Sequence, residues 1–69
     1  MKENLLSLRL IYLRKQKGYT QCEVAEILNI SRSALSKYEK GNRVPNIEIL
    51  MQLASLYNVS CDYLLCRDI

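Results

Sequence analysis

The stretch TQCEVAEILNISRSALSKYEKG, residues 20–41, decides the fold. It opens with Thr20-Gln21-Cys22-Glu23, a capping box. The Thr20 hydroxyl can accept from the backbone N–H of Glu23 while the Glu23 carboxylate reaches back. Val24, Ala25 and Leu28 then line one face of a helix that closes at Asn29, which tolerates the left-handed conformation. Ser31 is a good N-cap for a second helix. That helix carries only Leu35 and Tyr38 as clearly apolar side chains, so it is expected to face solvent over most of its surface. Gly41 stops it. Ala25 is small enough to let two helices cross closely, and Ile30 can plug the corner between them. Two short helices joined this way are a helix-turn-helix.

Helices flank the motif on both sides. In residues 5–17, Leu6, Leu10 and Leu13 fall at i, i+4 and i+7, and Gly18 is a natural terminator behind Lys15 and Lys17. Leu5, Leu8, Ile11 and Tyr12 widen that stripe, which predicts contact with more than one neighbour. After Pro45, Asn46 can cap a helix in which Ile47, Leu50, Leu53, Ala54 and Tyr57 recur at threes and fours, closed by Asn58. Ser60 can cap a last short helix, with Asp62 suited to its positive end. The expectation is an all-α chain of five helices, at about residues 5–17, 20–28, 31–40, 46–57 and 60–65, in one domain spanning 1–69.

Composition removes other classes. Sixty-nine residues with 49% hydrophobic content are too short for two domains and too apolar for disorder. Two glycines and one proline cannot punctuate many strands. No run of about 20 apolar residues exists to span a membrane. Histidine is absent, and Cys22, Cys61 and Cys66 form neither a CxxC pair nor an even set. Metal, cofactor, small-molecule ligand and enzymatic chemistry are therefore not expected, and a reducing, cytoplasmic setting is. Cys22 and Cys61 read as small hydrophobes.

The formal net charge of +3 is unevenly placed. Residues 14–43 hold Arg14, Lys15, Lys17, Arg32, Lys37, Lys40 and Arg43 against Glu23, Glu26 and Glu39, a local +4. From residue 44 on, Arg67 stands against Glu48, Asp62 and Asp68, a local −2. The basic part coincides with the helix-turn-helix, whose second helix is the element that enters a DNA major groove. Arg32, Ser33 and Lys37 share a face by their separations of four and five. They are the expected base-edge contacts, with the two cations suited to guanine N7 and O6. Ser36 is a further candidate.

Residues 20–41, with the preceding LRKQKGY and the following NRVPNIEILMQLASLYNVSCDYLL, resemble the helix-turn-helix of phage repressor, Cro and related XRE-type regulators. The likeness covers about residues 5–65 and rests on the fixed order of TQ, Ala25, the turn, the Ser-capped helix, YEKG and PNxxxLxxLA. Asn29 and Cys66 depart from it, each standing where Gly is frequent. The likeness implies a compact, lambda-repressor-like bundle of five helices in which the second and third read DNA. It implies sequence-specific binding of a double-stranded operator as a homodimer on a palindrome, and transcriptional regulation, with repression expected. It also implies phosphate contacts from Gln21 and from the loop residues Lys40, Asn42 and Arg43, and a partly buried structural ion pair between Arg14 and Glu39. Ser31 is expected to cap and to touch phosphate as well. The apolar Ile49, Met51, Leu56 and Tyr63 on helices four and five suggest a dimer surface. The competing reading is a protein-interaction module, antitoxin-like or adaptor, that keeps the fold without reading DNA. The local +4 and the pairing of Arg32 with Lys37 on one face argue against it.

Overall fold

A computed structural model describes residues 5–65. Over them the chain forms α1 (Leu5–Gln16), α2 (Gln21–Leu28), α3 (Arg32–Lys40), α4 (Ile47–Tyr57) and α5 (Cys61–Leu64). The all-helical expectation holds, and no strand occurs among the described residues. The readings that concern Cys66 lie outside them.

The starts of α2 to α5 are set by side-chain oxygens. Thr20 accepts from the Glu23 N–H at 3.1 Å while Glu23 Oε1 accepts from the Thr20 N–H at 2.9 Å, the complete capping box. Ser31, Asn46 and Ser60 accept from Ala34, Ile49 and Tyr63 N–H at 3.0, 2.9 and 3.0 Å. Each bond satisfies a donor that helical geometry leaves open.

The ends of α1 to α4 share one device. Gly18, Asn29, Gly41 and Asn58 adopt positive φ of 79°, 58°, 78° and 58°. The residue after each sends its N–H back to a carbonyl five residues earlier: Tyr19 to Arg14, Ile30 to Ala25, Asn42 to Lys37 and Val59 to Ala54, at 2.9–3.1 Å. This is the Schellman closure, and it is usually completed by an apolar contact from that same residue. Tyr19, Ile30 and Val59 supply one, being half-buried against the core. Asn42, behind α3, is exposed and supplies none.

The core is Leu10 and Leu13 of α1, Val24, Ala25 and Leu28 of α2, Leu35 and Tyr38 of α3, Leu50, Leu53, Ala54 and Tyr57 of α4, and Leu64 of α5. Helix α1 packs on α3 and α5, α2 on α3 and α4, and α4 on α5. Burying Ala25 lets α2 meet α3 closely. Arg9 clasps the two ends of the bundle. Its guanidinium lies 4.1 Å from the Tyr63 ring centroid, and Nη1 donates to the Tyr63 carbonyl. No described helix is long and apolar enough to cross a membrane.

Four local readings change. Ile47 is 66% exposed: it is in register with the α4 stripe of Leu50 and Ala54 but stands at its N-terminal edge, as the first residue of the helix. Leu5, Leu8 and Tyr12 are exposed, while Ser7 is buried in their place. Helix α1 is apolar almost all round, so periodicity does not select its inner face. It does meet two neighbours, but not through those side chains. Cys22 is exposed because it directly follows the first residue of α2, on its outer side; Cys61 packs against the core. Of the residues expected on a dimer surface, Ile49, Leu56 and Tyr63 pack against the core, and only Met51 stands exposed.

Candidate nucleic-acid interface

Helix α3 has two opposed faces. Leu35, Tyr38 and Glu39 point inward and are buried. At 100° per residue, Arg32, Ser33, Ser36, Lys37 and Lys40 fall within an arc of about 140° on the other side. Arg32, Ser33, Lys37 and Lys40 are exposed and Ser36 is half-buried. Ser31, Asn42 and Arg43 extend this polar surface past both ends of α3, all three exposed. Ser31 uses its oxygen on the Ala34 N–H, so its capping role is occupied in the folded chain.

Beneath this face lies a polar junction. Arg14 Nε donates to Glu39 Oε2 at 2.8 Å and Arg14 Nη2 to Glu39 Oε1 at 3.2 Å, a bidentate pair. The side chains are 13% and 3% exposed. Arg14 Nη1 also donates to the Tyr19 carbonyl at 3.0 Å. The guanidinium thereby joins α1, the turn behind it and α3. Fork-to-fork pairing of this kind fixes direction as well as distance.

Gln21 has a different setting from the one expected of a solvent-facing residue. It is half-buried, and its Nε2 donates to Glu39 Oε1 at 3.0 Å. Its Oε1 accepts from Arg32 Nη1 at 3.3 Å. The structure thus brings together Arg14, Glu39, Gln21 and Arg32. Among the described residues, Lys40, Asn42 and Arg43 make no such connection, and all three are exposed on the surface. Sequence reasoning had no signal for the Gln21–Glu39 bond, which joins residues 18 positions apart.

Tyr57 of α4 lies close to the same junction. Its hydroxyl is buried without a hydrogen-bond partner among the described residues. Burial, and next the negative charge of Glu39, push the phenol well above its ordinary range. It stays neutral at any physiological pH. No group of three or more His, Cys, Asp or Glu among the described residues is placed to hold a metal ion.

The chain matches the helix-turn-helix family model over residues 10–64. It is 51% identical over 63 residues to the HTH-type transcriptional regulator ImmR of Bacillus subtilis, covering 91% of this chain and 50% of ImmR. It is 42% identical over 60 residues to the HTH-type transcriptional regulator AnsR of the same organism, covering 87% of this chain and 52% of AnsR. The chain therefore spans about half the length of these two relatives. Among solved structures it resembles the P22 c2 repressor protein in complex with a synthetic operator, with a TM-score of 0.87 and 30% identity. That match covers 96% of this chain and all of the other.

Proposed function

Because the chain belongs to the helix-turn-helix family of transcriptional regulators, which are DNA-binding proteins and not enzymes, we propose that it reads double-stranded DNA with α3 in the major groove. Arg32, Ser33, Ser36 and Lys37 contact base edges. Gln21, Ser31, Lys40, Asn42 and Arg43 contact the sugar–phosphate backbone. The observation that carries this reading is the exposed cationic face of α3 above a buried, ion-paired underside. Asn42 adds to it. The position that closes the other three helices with an apolar contact is polar and exposed only behind α3. An anchor to the core has been given up there, where a backbone phosphate would lie. The likeness to a repressor held on an operator points the same way.

The operator is a palindrome bound by a homodimer, and the outcome is repression in the cytoplasm. The exposed apolar side chains that support the dimer are Ile47 and Met51 of α4, 66% and 57% exposed, with Val44 just before them at 67%. In vitro selection of bound duplexes from a random pool tests both parts. The expected result is an enriched palindrome with half-sites about 10 base pairs, or a multiple of that, apart. Enrichment of nothing sinks the DNA reading, and enrichment of a lone half-site sinks the dimer. Met51→Lys sharpens the second arm: half-site binding is expected to persist while cooperative binding to the palindrome is lost. Salt separates DNA reading from a protein-interaction role. About six phosphate contacts imply a loss of roughly a thousandfold between 50 and 200 mM.

A further inference from the structure

Gln21 stands between a buried charge and an exposed one, and its two hydrogen bonds are not independent. Glu39, ionised and paired with Arg14, can only accept. The Gln21 amide must therefore turn its NH₂ group inward, as the 3.0 Å bond from Nε2 to Glu39 Oε1 records. That choice leaves Oε1 pointing outward. Only this end of the amide can accept from a guanidinium, and Arg32 Nη1 lies 3.3 Å from it. Donors and acceptors thus run in one sense from Arg14 to Glu39, from Gln21 to Glu39, and from Arg32 to Gln21. Were residue 39 neutral and able to donate, the amide could turn over and present an NH₂ group to Arg32, two donors face to face.

We infer that buried Glu39 is a positioning residue for Arg32. It sets the polarity of the Gln21 amide, which holds the guanidinium at the start of α3 before DNA arrives. One of the five N–H donors of Arg32 is used on Gln21, leaving a pair free for a guanine edge. Freezing a long side chain costs affinity when it happens on binding; here much of that ordering precedes it. The inference rests on Arg32 being a base-reading residue, but its core claim concerns the free protein.

The test uses two variants that leave Arg32 in place. Gln21→Met removes both polar ends and keeps the Arg14–Glu39 pair. The double variant Arg14→Met/Glu39→Leu removes the anchor and leaves Gln21 untouched, exchanging the ion pair for apolar groups, a change that is often neutral for stability. The first measurement is the order of the Arg32 Nε–H by NMR relaxation without DNA, with exposed Arg43 as the internal standard. Arg32 is expected to be more ordered than Arg43 in the wild type and equal to it in both variants. Equal order in the wild type, or unchanged order in the double variant, overturns the inference. Should the double variant fail to fold, Gln21→Met decides by the same criterion.

The second measurement is a cycle with Arg32→Ala on the selected duplex and on random duplex. Gln21→Met is expected to weaken the selected duplex by up to about tenfold more than the random one, the cost of ordering one side chain. That excess should disappear once Arg32 is alanine. An excess of the same size in both backgrounds means that Gln21 acts by itself and overturns the inference. A chain that binds no duplex at all refutes the proposed function, and the order of Arg32 alone then judges the positioning role.

Discussion

Helices α3 and α4 obey the same local rules and end as different instruments. Each begins on a side-chain cap, Ser31 or Asn46, and each closes on a left-handed residue, Gly41 or Asn58. Each buries a polar group deep in the bundle, Glu39 in α3 and the Tyr57 hydroxyl in α4, and there they part. Glu39 of α3 receives three hydrogen bonds, two from Arg14 and one from Gln21. The Tyr57 hydroxyl of α4 receives none among the described residues. Their outer faces differ as well. α3 shows Arg32, Lys37 and Lys40, whereas α4 shows Ile47 and Met51. The contrast separates what builds a helix from what a helix is for. Caps and closures define both elements alike. The helix with a fully partnered polar anchor is the one that carries an exposed charged face, and there position matters to within a hydrogen bond.

The largest test strikes at the partnered anchor. Arg14→Met should cost about 3–5 kcal/mol in urea unfolding, because Glu39 is left charged and buried without its main partner. Most of the loss should return in the double variant with Glu39→Leu. A single variant as stable as the wild type would erase the contrast between the two anchors. Next comes the outer face. Lys37→Ala should weaken the selected duplex by about 1–3 kcal/mol and relax preference at one base pair. Equal losses on selected and random DNA would make Lys37 a backbone contact.

The opposite sign is expected at the unpartnered anchor. Tyr57→Phe should stabilise the fold by about 1 kcal/mol at pH 7, since it deletes a buried polar group that makes no hydrogen bond among the described residues. Its pH dependence has a definite direction. The folded phenol is held above its ordinary value, so the unfolded chain ionises first, near pH 10. The wild type keeps this contribution below that pH and loses it as pH rises further, and the advantage of Tyr57→Phe should widen there. A destabilised Phe variant at pH 7 would mean that the hydroxyl is satisfied. The smallest effect is at Asn42. Asn42→Val should restore the apolar closure seen at Ile30 and Val59, shifting stability upward by no more than about 0.5 kcal/mol. Binding should fall equally on all duplexes.

Most of the fold was legible because it is written in short-range signals. Thr20 with Glu23, Ser31, Asn46 and Ser60 mark starts, and Gly18, Asn29, Gly41 and Asn58 mark ends, within two residues of where the helices begin and stop. The inner face was legible where apolar residues are scarce. Leu35 and Tyr38 leave α3 little choice, and both are buried. It was illegible in α1, where Leu5, Leu8 and Tyr12 compete with Leu10 and Leu13 for the core and burial goes partly to Ser7. At the candidate interface, the exposed cations could be listed from their spacing. The tie from Gln21 to Glu39 could not, because it depends on how α2 crosses α3 and on which end of an amide turns inward.

The Arg9 clasp has a consequence for how the molecule comes into being. It joins residues 54 positions apart, the first described helix to the last. The unit of α2 and α3, by contrast, is built from contacts close in sequence, which form fast. In folding, the α2–α3 unit can therefore assemble before α5 docks, but the bundle stays unlatched until Tyr63 meets Arg9. A chain in which that contact is broken would keep α2 and α3, the helices proposed to meet DNA, without the latch between α1 and α5.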